Sequence, residues 1–550
     1  MSPRPRTGGK SAAPRVTAHP TARDAARTPE RAGSTLLFLL GDQLDRGSPT
    51  LADLGPHDHI LMAEVRGEST HVPSHIQRTV LFLSAMRHHA QWLEKQKHRV
   101  RYVALTDAAN THTLGGELAR AINELKPSRV RLIRPGEHRV LADLRDVCDA
   151  AGVPLEVLED THFVVTPSEF DAWAAPRKSF KMEDFYREQR RRLNILIDAD
   201  GEPEGGRWNF DAENRDGPGA AGPGLLSPPL RFAPDAITRS VIADVRRILP
   251  NLPGRLDNDD FGWPVTREQA LDVLHDFIAR RLHNFGRTQD AMWRGEWSMN
   301  HALLSSSLNL KLLHPRECVD AAVEAYRDGK APLAAVEGFI RQIIGWREFI
   351  RGIYFREGPD YADRNWLQAT TPLPELFWTG KTDLRCLHEC VNEVLDRAYG
   401  HHIQRLMVIG NFTMLLGVNP RAVSDWFLGM YVDAVDWVTL PNVLGMSQHA
   451  DGTATRGPVV GTKPYAASGQ YIKRMSNYCS GCRYDPTKRT GDDACPFTTL
   501  YWDFLLRHRA RFKHNHRMRT ILANLDRFSP SHLQEITISA QRVRRDLAVE

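Results

Sequence analysis

Five of the chain's seven cysteines fall in two groups, Cys386 with Cys390 and Cys479 with Cys482 and Cys495. The Cys479-x2-Cys482 spacing puts two thiolates on one turn, where neighbouring sulfurs can share a metal. Cys495 follows and is succeeded by Pro496. Three sulfurs require a fourth ligand. Cys386 and Cys390 lie four apart on one face of an expected helix, so either could serve, and His508 is also within the sequence's reach. Zinc and an iron–sulfur cluster both accept four thiolates, so spacing alone leaves the metal open. Cys148 and Cys318 stand alone and read as small buried residues. No apolar secretory segment accompanies these cysteines, so their clustering favours a metal in a reducing cytoplasm over a disulfide framework.

The elements that must position such a site divide into two kinds. Apolar runs suited to buried parallel strands occur at Thr35–Leu40, Ile60–Val65, Val100–Leu105, Val130–Ile133 and Leu155–Leu158. Helical stretches at Ser74–Lys95, Leu114–Leu125 and Val140–Ala151 separate them. This alternation predicts a doubly wound α/β domain over residues 34–165, with ligands at the carboxyl ends of its strands. Asp42 and Gln43 follow the first strand, and Glu68 lies past the second. A GxGxxG fingerprint is lacking, which disfavours an ordinary dinucleotide fold. Residues 166–265 read as an interdomain linker holding a basic helix, with Arg190, Arg191 and Arg192, and a loop rich in Gly and Pro around Trp208. Helical periods then dominate residues 266–525: Arg267–Phe285, His301–Leu313, Pro315–Arg327, Pro332–Phe355, Leu384–Tyr399, His402–Leu416, Pro420–Tyr431 and Phe497–Phe512. An all-α domain of that size can enclose a large cofactor. Residues 526–550 form a C-terminal tail.

The chain has 550 residues, 41 % hydrophobic and 25 % charged, which is an ordinary globular balance for two or more domains. No apolar run approaches the roughly 20 residues of a membrane span, and no membrane partner is expected. The first 33 residues hold seven Lys/Arg and two Asp/Glu, so a flexible basic arm accounts for the whole formal charge of +5. Beyond Leu505 a second basic patch has ten Lys/Arg against four Asp/Glu. Any nucleic-acid surface must therefore come from local clustering, with the linker helix and this patch as the phosphate contacts.

Several strings resemble the cryptochrome/photolyase family, and within it the iron–sulfur bacterial branch that repairs (6-4) lesions or senses light. They are Phe38-Leu-Leu-Gly-Asp-Gln-Leu44, Gly205-Gly-Arg-Trp-Asn-Phe-Asp-Ala-Glu-Asn-Arg215, Gly338-Phe-Ile-Arg-Gln-Ile-Ile-Gly-Trp-Arg-Glu-Phe349, Tyr399-Gly-His-His-Ile-Gln-Arg-Leu-Met407, Leu440-Pro-Asn-Val-Leu-Gly-Met-Ser447 and Gly461-Thr-Lys-Pro-Tyr-Ala-Ala-Ser-Gly469. The likeness runs from about residue 34 to 525. It implies an antenna domain followed by a helical FAD domain, the order read above from periodicity.

The resemblance also implies particular residues. A four-iron [4Fe-4S] cluster would be held by Cys386, Cys479, Cys482 and Cys495, leaving Cys390 as a packed helix residue. Asn300, His301, Ser305, Trp346, Arg347, Arg405, Asp436, Asn442 and Lys463 lie in strings that wrap FAD; Arg405 is expected to pair with Asp436, and Asn442 to approach the flavin N5. His402 is the expected proton donor to the lesion, with His401 beside it; the second histidine of many relatives is replaced by Leu406. An imidazole suits that task because it titrates near neutrality. Trp378 and Trp426 match electron-carrying tryptophans, but the next position is Phe427, which is too hard to oxidise. Asp42, Gln43 and Glu68 match the place of a 6,7-dimethyl-8-ribityllumazine antenna, although His71 stands where an aromatic partner is expected. Asp211 and Asp290 match carboxylates proposed to hold Mg2+.

These matches imply a monomeric enzyme that repairs (6-4) photoproducts in UV-damaged DNA by light-driven electron transfer from reduced FAD. Two alternatives are a blue-light cryptochrome receptor with the same cofactors and a non-photochemical iron–sulfur protein that binds nucleic acid.

Overall fold

Residues 33–219 and 222–549 are described by the computed structural model of the protein. The expected basic arm lies outside the described residues except for Gly33. Residues 34–550 make up one unit.

Five parallel strands open the fold: β1 (Thr35–Phe38), β2 (His59–Ala63), β3 (Arg99–Val103), β4 (Arg129–Ile133) and β5 (Leu155–Leu158). Their spatial order is β3-β2-β1-β4-β5, each pair hydrogen-bonded in parallel. β1 is buried on both faces, which explains why it reads as an unbroken apolar run. Leu37 and Leu39 join a core with Val80, Leu81 and Leu93 of the helix Ile76–Lys95. Leu36 and Phe38 face Leu118 and Ile122 of Leu114–Leu125 and Leu144 of His138–Ala151. The order reverses between β1 and β4, so the crevice beyond their carboxyl ends is the natural ligand site of such a sheet. Asp42 stands at one of those ends and Gly136 and Glu137 at the other.

The second half is helical. Leu114–Leu125 and Pro315–Arg327 match the sequence reading residue for residue, whereas His301–Leu313 does not form one helix. Only Ser305–Asn309 is helical there, because Met299, Leu303 and Lys311 take left-handed backbone angles (φ +43°, +59° and +65°). Three consecutive serines offer weak helix propensity against that strain. Two other expected helices contain wide i→i+5 turns, at Arg341–Arg347 and Gln404–Gly410, and a third such turn covers Asn442–Ser447. Such turns concentrate at functional sites because they rotate side chains out of helical register. Residues 526–550 include the helix Pro530–Val549, and Arg544 in it shares Asp503 with Arg507 of the helix Pro496–Arg507. Among the described residues no helix is long and apolar enough to cross a membrane.

The wide turns at 404–410 and 442–447 touch through Gly410. A Cβ there would lie 2.1 Å from the Ser447 hydroxyl oxygen and 2.8 Å from the Arg405 carbonyl oxygen. Gly410→Val should therefore force the two turns apart, at about 1–3 kcal/mol for overpacking. Urea denaturation should show a lower midpoint at unchanged slope.

Candidate active site

Arg405 sits on the first wide turn after Tyr399 and donates twice to Asp433, from Nη1 to Oδ1 at 2.9 Å and from Nη2 to Oδ2 at 3.0 Å. Its guanidinium lies 3.9 Å from the ring centroid of Tyr431 and 5.4 Å from that of Tyr399. Ser305 donates to Asp433 Oδ2 at 2.6 Å, and the Asn309 amide to the Asp433 carbonyl at 2.7 Å. The expected pairing of Arg405 with Asp436 is thus corrected: the partner is three residues earlier. Burial opposes the charge on Arg405, and the Asp433 carboxylate outweighs it, leaving the pKa raised. Asp436 instead accepts from the Tyr354 hydroxyl at 2.6 Å. Its pKa is raised by burial, with the Tyr354 hydrogen bond opposing.

Beside that pair, His301 and His401 stack at 4.6 Å with ring planes 15° apart. Burial lowers both, His301 to about 3. His402 is reached by solvent yet enclosed by protein, as a residue facing interior space would be; the loss of hydration lowers its pKa to about 4, with Arg405 adding to the shift. Several buried polar atoms here have no partner: His301 Nε2, both ring nitrogens of His401, the Tyr431 hydroxyl, and the hydroxyls of Ser306 and Ser307. Buried polar groups are nearly always satisfied, so this concentration of donors around Arg405 fits a large polar ligand such as FAD.

The remaining expected FAD residues are spread out. Asn300 donates to Thr288 at 3.0 Å, Asn442 to the Val438 carbonyl at 2.8 Å, and Lys463 is exposed. Trp346 packs edge-on against Phe349. Arg347 is committed elsewhere, to Glu348 at 3.0 Å and His162 at 3.2 Å, over the Phe163 ring.

A second cleft opens at the strand reversal, enclosing about 750 Å³ of atom-free space. Asp42, Glu68, Arg78, Glu137, Phe82 and Val435 are among its lining. Gly136 admits two neighbours that a Cβ would exclude, Asp42 Oδ2 at 3.2 Å and Trp437 Cδ1 at 2.8 Å. Burial raises the Asp42 pKa, opposed by Lys311. The mixture of buried carboxylates, one guanidinium and apolar walls fits a planar polar chromophore. Gln43 does not line the cleft: its amide donates to the Ile133 carbonyl at 3.0 Å and its oxygen accepts from Leu40 N–H, tying β1 to β4.

Cys386, Cys479, Cys482 and Cys495 converge closely enough that burial and the neighbouring thiols together raise Cys386 well above its usual range. Cys495 is pushed up to about 12 by burial, although it opens the helix Pro496–Arg507 and accepts from the Phe497 and Thr498 amides. Cys390 points elsewhere, toward Glu393 and Tyr478. A Cβ on Gly469 would stand 2.9 Å from the Cys495 sulfur. Among the described residues no three metal-ligating side chains close on a single-ion site. Four converging thiols nonetheless supply the donor set of a cubane cluster, which spans more space than one ion.

The Mg2+ expectation does not fit. Both Asp211 oxygens are taken by guanidiniums, Oδ1 by Arg341 at 2.7 Å and Oδ2 by Arg215 at 2.6 Å. Asp290 is its electrostatic neighbour, raised to about 6 by burial, with Arg215 opposing and Asp211 adding. In the linker helix, Arg190 is buried and donates to the carbonyls of Ile195, Leu196 and Trp208, so it cannot reach DNA. Arg191 is exposed and lies 4.4 Å from the Trp208 ring.

A (6-4) photolyase of Agrobacterium fabrum is 48 % identical over 520 residues, which cover 94 % of this chain and all of the relative. The chain belongs to the photolyase family. The model of the deoxyribodipyrimidine photo-lyase-related protein family matches residues 37–261 of this photolyase-family chain. A bacterial class III photolyase from Agrobacterium tumefaciens has a similar fold, with a TM-score of 0.55 at 15 % identity over 89 % of this chain and all of that one. A cryptochrome from Synechocystis sp. PCC6803 gives 0.53 at 14 % identity over 81 % of this chain and 89 % of its own.

Sequence reasoning missed three residues that the photolyase-family fold brings to these sites: Asp433, Tyr431 and Glu137. Asp433 was concealed by Asp436 in the same short string, and Tyr431 by its place at a helix end. Glu137 is raised to about 7 by burial, opposed by Arg139 and reinforced by Asp436 and Glu68. A raised carboxyl stabilises the fold below its unfolded value of 4.5, and that contribution is lost as the pH climbs through about 7. Glu137→Gln should therefore flatten the fall of the thermal midpoint between those two pH values, as followed by calorimetry.

Proposed function

We propose that the protein repairs (6-4) pyrimidine-pyrimidone photoproducts in UV-damaged DNA under blue light. The observation that carries this reading is the set of unpartnered buried polar atoms beside the Arg405–Asp433 pair, next to a histidine that solvent reaches. The A. fabrum relative bears the name of that activity and is matched along its whole length.

Arg405, Tyr431, His301, Ser306 and Ser307 would hold FAD. When bound and reduced, FAD would supply light-driven electron transfer to the lesion. Arg405 favours negative charge in the pocket, since its own charge is fixed by Asp433. His402 would give a proton from its imidazole toward the flipped base; the negative charge of bound DNA opposes the burial that lowers its pKa and favours the charged ring. Extruding the damaged pair costs only a few kcal/mol because it stacks poorly. Phosphates would meet Arg191 and the basic C-terminal region. The four converging cysteines would hold a [4Fe-4S] cluster that clips the helix Arg385–Arg397 to the C-terminal region. The strand-end cleft would hold the lumazine antenna against Asp42 and Glu68. We assign the working form as a cytoplasmic monomer.

An oligonucleotide with one (6-4) lesion should be restored to intact bases by the purified, reduced protein in blue light, and not in the dark. A cryptochrome receptor would leave the lesion in place under both conditions. His402→Ala should keep its flavin absorption but lose at least about a hundredfold in repair rate, the usual range of a proton-transfer group. Undiminished repair would remove His402 from that role. Cys386→Ser should lose bound iron by elemental analysis after anaerobic preparation, whereas Cys390→Ser should retain it.

A further inference from the structure

The expected electron carriers Trp378 and Trp426 are followed by Phe427, which cannot serve as a station. The rings packed on Trp426 are Phe377 at 5.6 Å, Phe427 at 5.5 Å and Tyr431 at 5.8 Å. Tyr431 can carry a hole from the Arg405 side, and the Phe377 carbonyl accepts the Trp426 indole N–H at 3.1 Å. Benzene rings are too hard to oxidise to serve as stations.

On the other side of Arg405 the rings form an unbroken oxidisable set. Tyr399, 5.4 Å from the Arg405 guanidinium, contacts Trp297 at 5.6 Å and Trp263 at 5.7 Å. The two tryptophans meet each other at 6.2 Å. Both line a shallow surface cleft open to solvent, walled also by Arg231, Asp260 and Arg397. Trp297 is half-buried, so a small solute can reach it.

We propose that Tyr399, Trp263 and Trp297 form a second electron route, carrying charge from a soluble thiol reductant in this cleft to the pocket beside Arg405. The inference rests on the FAD reading given above. The sequence balances as follows. One electron leaves Tyr399 for the photoexcited oxidised flavin. The positive hole is repelled by Arg405 and passes outward to Trp263 and Trp297. Arg397, 4.9 Å from the Trp297 ring, disfavours a cation there, so the indole N–H releases its proton to cleft water. A thiol then returns one electron and one proton to the indole, and two such thiyl products join as a disulfide. The cleft thus takes a reductant small enough to touch an indole edge, and the four charged side chains around it (Arg231, Asp260, Asp396 and Arg397) leave the rim without a dominant sign.

The test uses the full chain loaded with FAD, illuminated with blue light in the presence of a nitroso spin trap, and mapped by peptide mass spectrometry. Adducts should appear on Trp263 or Trp297. The double variant Trp263→Phe/Trp297→Phe should keep its FAD content but be photoreduced by dithiothreitol about tenfold more slowly, a barrier change of about 1.4 kcal/mol. Adducts confined to Trp378 or Trp426 would overturn the route, as would an undiminished photoreduction rate. The mapping needs no variant, so it decides the matter even if the double substitution fails to fold. A protein that takes up no FAD would instead overturn the proposed function.

Discussion

The ion pair between Arg405 and Asp433 is the constraint around which the helical half is arranged. Both charges are withdrawn from bulk water, and such a pair persists only if its remaining hydrogen-bonding positions are filled. Here Ser305 and Asn309 fill the carboxylate side, while two tyrosine rings flank the guanidinium. Removing one partner would strand the other charge, at a cost of about 3–5 kcal/mol. The strained backbone at Met299 and Leu303 is therefore understandable: it brings a short serine-rich helix under Asp433 when a regular helix would have carried those side chains away.

The two halves of the molecule handle buried charge differently. Near Arg405 the histidines are neutralised by burial, and the guanidinium is balanced by Asp433. In the strand-end cleft burial raises Asp42 and Glu137, opposed by Lys311 and Arg139 respectively. One site thus offers a paired cation with neutral imidazoles, and the other a set of carboxyls that can exchange hydrogen bonds with a ligand.

Much of the fold was legible because its signals are local. Apolar runs marked all five strands, and helical periods marked Leu114–Leu125 and Pro315–Arg327 to the residue. The cysteine grouping was legible for the same reason, since residue type and short spacing carry it, whereas His402 was singled out only by the family resemblance. What failed depends on contacts far along the chain. Arg405 chooses Asp433 over Asp436 through a turn that no periodicity encodes. Gln43 is used by Ile133, ninety positions away, and Asp211 by Arg341, a guanidinium from another helix. The wide turns at 341–347 and 404–410 were read as continuous helix because one extra residue per turn hardly disturbs an apolar pattern.

The stretch from Asp433 to Trp437 faces in two directions. Asp433 holds Arg405, the Ala434 carbonyl accepts from Arg78 at 3.1 Å, Val435 walls the strand-end cleft, and Trp437 abuts Gly136. Five consecutive residues therefore form a partition common to both chambers. Under the proposed function this segment would be the wall that the antenna and the flavin have in common, so a substitution that shifts it would be felt at both sites.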